Sequence, residues 1–148
     1  MPYRTELLPE DGIIFTVYTA PYSEEQWAPH VSEALQLAAA NGCLLFLGDC
    51  RALPQEESSP FDVYQLVEVL DSLGVDHRAR EALVVPPAPG SLSTFDFFVT
   101  ATSNRGIVVR VFLDMDDARK WLLEEKVAML ESLDRHPPFA ATLRDTTE

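Results

Sequence analysis

The chain has 148 residues, and a chain of that length buries roughly two thirds of its unfolded surface, enough for one domain with its own core. Its formal charge of −13 sets net repulsion against phosphate backbones and anionic membrane faces, so nucleic acid is not an expected partner. Hydrophobic residues at 47% are too many for a disordered acidic tail, and no apolar run approaches the roughly 20 residues that span a bilayer, so stable membrane insertion is not expected either.

The first residues, MPYRTELLPEDG, carry one arginine and no apolar h-region, which makes the cytoplasm the expected address. Residues 3–8 read as a short edge strand. Pro9-Glu10-Asp11-Gly12 then has the composition of a turn into Ile13–Tyr18, which predicts an N-terminal hairpin. Ser23 offers an oxygen that caps a helix, with Gln26 at the reciprocal capping-box position. Trp27, Val31, Ala34, Leu35 and Ala38 follow at helical spacing, and Asn41-Gly42 supplies a left-handed stop. Cys43-Leu44-Leu45-Phe46-Leu47 is an uninterrupted apolar run, and such a strand wants cover on both faces.

The polar stretch Ala52–Ser58 leads to a second helix start at Ser59-Pro60. Phe61, Tyr64, Val67 and Leu70 give that helix its stripe, and Gly74 ends it. Arg80–Val85 reads as a strand stopped by the proline-rich stretch 86–90. Ser93 or Thr94 caps a short helix through Phe95, Phe98, Val99 and Thr102, although FDFFVT also has the composition of an edge strand. Ile107–Phe112 is a buried strand. Asp114 caps a final helix, with Asp117 at its third position and Met115, Ala118, Trp121, Leu122 and Leu130 as its apolar surface. From His136 onward, two adjacent prolines and a polar end predict a loose tail within a single domain over residues 1–148.

Three strand-helix-strand units in this order imply right-handed crossovers. The expected fold class is therefore α/β: a mixed, mostly parallel sheet with helices on both faces and an N-terminal strand hairpin. Acidity is lopsided along it. Residues 1–76 hold thirteen acids and two arginines, net −11, whereas residues 77–148 hold eleven acids and nine bases, net −2. The excess keeps the protein soluble, or it turns one face toward a basic partner, chiefly at low salt.

Arg110-Val111-Phe112-Leu113-Asp114-Met115-Asp116-Asp117-Ala118-Arg119-Lys120-Trp121-Leu122 resembles the strand-to-helix segment of bacterial SpoIIAA-like, or STAS-like, domains. Phe112, Ala118, Trp121 and Leu122 stand where that family places its structural anchors. Leu45-Phe46-Leu47-Gly48-Asp49-Cys50-Arg51 is similar to the family's apolar strand followed by Asp, one residue and Arg. The resemblance covers roughly residues 3–130. It implies a layered sheet used for protein association, and in some relatives for ligand or lipid binding, without catalysis. The Asp-Ser phosphorylation motif of the wider group is missing from Glu57-Ser58-Ser59-Pro60, so phosphoswitching is not carried over.

The chemistry-bearing residues are sparse. His30, His77 and His136 have no metal-ligand spacing, and no glycine-rich phosphate loop occurs, so neither a metal nor a cofactor is expected. Cys43 and Cys50 are separated by about 23 Å if the chain between them is extended, too far to pair within that strand. Asp49 follows an apolar strand at the end where α/β sheets form clefts, and it pairs with Arg51 in a structural role or acts as an acid if its pKa is raised. A reactive Cys50 would need help from Arg51 that Asp49 opposes.

The main expectation is a non-enzymatic recognition or regulatory module for a protein partner or a small apolar ligand, with no catalytic residue assigned. Asp49, Cys50, Arg51, Phe61 and Phe95 are its candidate recognition residues. The rivals are a small enzyme with a cleft at Asp49 and Cys50, and a structural homodimer.

Overall fold

The computed structural model describes residues 3–19, 24–52, 67–68, 70–86, 96 and 98–135. Within them a five-stranded sheet runs in the order β1 (Tyr3–Leu8), β2 (Ile13–Tyr18), β3 (Leu45–Asp49), β4 (Arg80–Val84) and β5 (Val108–Phe112). The first pair is antiparallel, with Thr5 opposite Thr16, and the other three pairs are parallel. Gly12, at φ 67°, closes the hairpin and donates its N–H to the Leu8 carbonyl at 2.9 Å. This is the mixed, mostly parallel sheet expected from the sequence.

α1 (Glu24–Asn41) buries Val31, Ala34 and Ala38. The two alanines let the helix approach Ile14 and Phe46 closely. Gly42 ends α1 at φ 64°, where the Cys43 N–H reaches back to the Ala38 carbonyl at 2.9 Å. Residues 98–103 are helical, which decides between the two readings of FDFFVT. The fully buried Thr102 hydroxyl donates to the carbonyls of Phe98 at 2.9 Å and Val99 at 3.0 Å, so this β-branched residue brings no unsatisfied polar group into the helix.

Strands laid down in sequence order by right-handed crossovers place their connectors on one face. Accordingly, Val67 and Phe98 pack with Leu83, Val85 and Val109 on the same side as α1. α2 (Met115–Arg135) takes the other side. Its start is fixed by Asp114, whose Oδ1 accepts the N–H groups of Asp116 at 2.7 Å and Asp117 at 3.1 Å. Ala118 and Leu122, both fully buried, then pack on Ile13, Leu45, Leu47, Ala82 and Val84. Helices thus cover both faces, as expected.

Trp121 is half-buried on the β5 flank of α2, its ring 5.7 Å from that of Phe112, and the Arg110 guanidinium lies over both rings. Leu130 departs from the sequence expectation. A helix of 21 residues runs about 31 Å against about 17 Å for a five-residue strand, so its last turns pass the sheet edge. Leu130 is 54% exposed and Val127 55% exposed. No helix among the described residues is long and apolar enough to cross a membrane.

Candidate functional site

The carboxyl ends of the parallel strands carry Asp49, Cys50 and Arg51, the cleft residues expected from the sequence. Asp49 is held by its neighbour: its Oδ1 accepts from the Arg51 backbone N–H at 3.1 Å and Nε at 3.0 Å, while Oδ2 accepts from Nη2 at 3.0 Å. These hydrogen bonds from Arg51 hold the carboxyl below its ordinary range, against the opposing effect of partial burial. Asp49 is therefore an ionised anchor for the turn after β3. Arg51 is exposed and also feels the charge of Asp114 at the start of α2.

Cys50 lies next to Asp49 but points to the opposite face, where it is buried with Val67, Leu83 and Val85. Its N–H donates to the Val84 carbonyl at 2.8 Å. Burial, followed by the charges of Glu81 and Asp49, pushes the thiol well above its ordinary range. The strand alternation thus separates two residues that the sequence sets side by side. Cys50 is expected to alkylate at least about tenfold more slowly than the half-exposed Cys43 in the native protein, because the thiolate is the reacting form. Intact mass after iodoacetamide treatment checks this: one adduct in the folded protein and two after unfolding is the expected result, and two in the folded protein would refute the buried placement. Phe61 and Phe95, the other recognition candidates, lie outside the described residues, as do Glu56, Glu57 and the tail after residue 136.

Two ionisable groups on the α1 face were not singled out by sequence reasoning. His30 is buried, with its ring 4.2 Å from that of Tyr3 and edge-on to Tyr18 at 5.4 Å. Burial lowers its pKa to about 4, so the imidazole is neutral at pH 7. Thr5 and Thr16 share a hydroxyl hydrogen bond of 3.0 Å on the same face. Glu81 sits on the interior strand β4, between Phe46 and Val109 in register. It keeps some contact with water, yet protein surrounds it, and burial pushes its pKa up to about 7. Gly48 leaves room on this face for Leu83 and Tyr18; an added Cβ would stand 2.7 Å from Leu83 Cδ2.

At the opposite end of the sheet, Asp71, Val75, Asp76, His77, Arg105 and Ile107 line an open depression of about 350 Å³. Arg105 is paired with Glu68 and stands 3.7 Å from Asp71, while Asp76 holds Arg78 at 2.8 Å. The cationic groups here are matched by carboxylates, and the depression is remote from the strand ends where Asp49 stands. No group of three or more metal-ligating side chains occurs among the described residues.

Two large apolar side chains of α2 are exposed, as is Leu113 just before it. Leu123, Val127 and Leu130, spaced four and three apart, run as a stripe along the side of α2 next to the β1–β2 turn; Leu123 packs against the core, whereas Val127 and Leu130 are exposed. That orientation is set by Arg119, whose Nη2 is 2.7 Å from Asp11, and by Lys126, which donates to the Asp11 carbonyl at 3.1 Å. α2 packs on β3, β4 and β5, and Leu8 and Phe15 on the same face of the sheet are half-buried against the core it forms with them. Of these three only Leu130 belongs to the apolar surface expected from the sequence, because spacing alone does not show where the helix leaves the sheet. No protein-family model matches this chain, and no curated protein and no solved structure matches it.

Proposed function

We propose that this chain is a STAS-like, non-catalytic recognition module of the cytoplasm that binds a protein partner through the apolar flank of α2. The observation that carries the reading is the exposure of Val127 and Leu130, at 55% and 54%, on the turns of α2 that pass the sheet edge. The stripe has the i, i+4, i+7 pattern that accepts an amphipathic segment. Its outer rim holds Asp116, Glu124 and Glu131 against Lys120, and the inner rim cations Arg119 and Lys126 are already engaged by Asp11. With a chain charge of −13, that rim selects a partner segment with an apolar face and basic edges, bound more weakly as salt rises. The resemblance at Arg110–Leu122 and Leu45–Arg51 supports the same class of function, and the layered, mostly parallel sheet agrees with it.

The test is cross-linking mass spectrometry on complexes formed in extract from the producing cells. Cross-links from a partner should fall on residues 120–131, and the Val127→Glu/Leu130→Glu double variant should lose the partner while keeping its unfolding midpoint. Cross-links confined to the Asp49–Arg51 end, or a partner retained by the double variant, would overturn the assignment. A turnover lost in Asp49→Asn would favour the enzymatic alternative.

A further inference from the structure

β1 is an edge strand, and among the described residues nothing pairs with its outer side. An unpaired edge exposes a row of backbone N–H and C=O groups that another strand can satisfy. Arg4 and Glu6 project from the same face of β1, two residues apart, and both are exposed. Neither takes part in an ion pair among the described residues. Their neighbours on β2 are Val17 and Phe15, so the sheet itself answers neither charge.

We infer that β1 pairs antiparallel with β1 of a second copy about a twofold axis at Thr5, extending each five-stranded sheet through the other. The charges select this occupant and this register. With Thr5 opposite Thr5, Arg4 lies opposite Glu6 of the partner copy and Glu6 opposite its Arg4, while Tyr3 meets Leu7 on the other face. Residues on the same face must oppose one another in antiparallel pairing, so the adjacent registers move by two. One sets Arg4 against Arg4 and the other sets Glu6 against Glu6, and like charges directly opposed are unfavourable. The strand is thus self-complementary in one register. The surface is separate from the α2 stripe proposed for partner binding.

Sedimentation velocity on the full chain, at concentrations spanning the dissociation constant, tests the inference. The wild type should be a dimer at high concentration. Arg4→Glu and Glu6→Arg should each weaken it by about tenfold or more, since each places two like-charge pairs across the axis. The double swap Arg4→Glu/Glu6→Arg conserves net charge and should restore the dimer, and circular dichroism should show all three variants folded. Val127→Glu/Leu130→Glu should leave the dimer intact, which separates this surface from that of the proposed function. A monomeric wild type, single variants that dimerise as tightly as it does, or a double swap that fails to recover would each overturn the pairing.

Discussion

Leu122→Ala is expected to destabilise the fold by about 2–5 kcal/mol, because the lost transfer energy of the side chain adds to the cavity it leaves. Leu122 has no solvent exposure and sits with Ala118 against Leu45, Leu47, Ala82 and Val84. The upper part of that range is favoured by the surroundings. The strands beneath it are central, paired on both sides, and cannot collapse into the void without breaking register. Trp121→Ala should cost less than removal of a fully buried tryptophan, since its ring is half-buried and shares Phe112 with the Arg110 guanidinium. Urea unfolding of both variants decides the order. A loss below about 1 kcal/mol for Leu122→Ala would mean that α2 is not anchored through this face and that its stripe belongs to a differently oriented helix.

The elements that sequence reasoning located are those whose signal is local. The turn at Pro9–Gly12 into Ile13–Tyr18, the apolar run Cys43–Leu47 and the Asp114 cap each need only a few neighbouring residues, and the structure places all three as expected. The Asp49–Arg51 pair was legible for the same reason, being two residues apart. His30 was not, because its environment comes from Tyr3 and Tyr18 on two other elements. Glu81 was hidden differently: within Arg-Glu-Ala-Leu-Val an acid near a strand start looks solvent-facing, and only the strand order shows β4 to be interior. Leu130 joins the expected apolar surface of the last helix because periodicity reports which side of a helix is apolar, whereas its exposure follows from the length of α2 relative to the strands.

His30 and Glu81 are expected to impose opposite pH dependences on stability that largely cancel in the wild type. For His30 the folded pKa of about 4 lies below the ordinary 6.5, so between these values the unfolded chain binds the extra proton. Stability from this residue is therefore full above pH 6.5 and is lost as pH falls toward 4, by about 3 kcal/mol for a separation of that size. For Glu81 the folded pKa of about 7 lies above the ordinary 4.5, so the folded chain binds the extra proton between them. Its contribution is full below pH 4.5 and is lost as pH rises through 7, by about 2–3 kcal/mol once its residual contact with water is allowed for. The two windows overlap from pH 4.5 to 6.5, where one slope offsets the other. Glu81→Gln removes the second slope, so relative to wild type the variant should gain about 2–3 kcal/mol between pH 4.5 and 8. His30→Leu removes the first, and its stability relative to wild type should rise by about 3 kcal/mol from pH 7 down to 4. Asp49 and Asp76 are held below the ordinary carboxylate range by Arg51 and Arg78, so their titrations lie under this window and cancel in the differences. Urea unfolding of the three proteins at half-unit pH steps measures the two difference curves. Flat curves would place both groups in water, and curves of the same sign would contradict the burial of one of them.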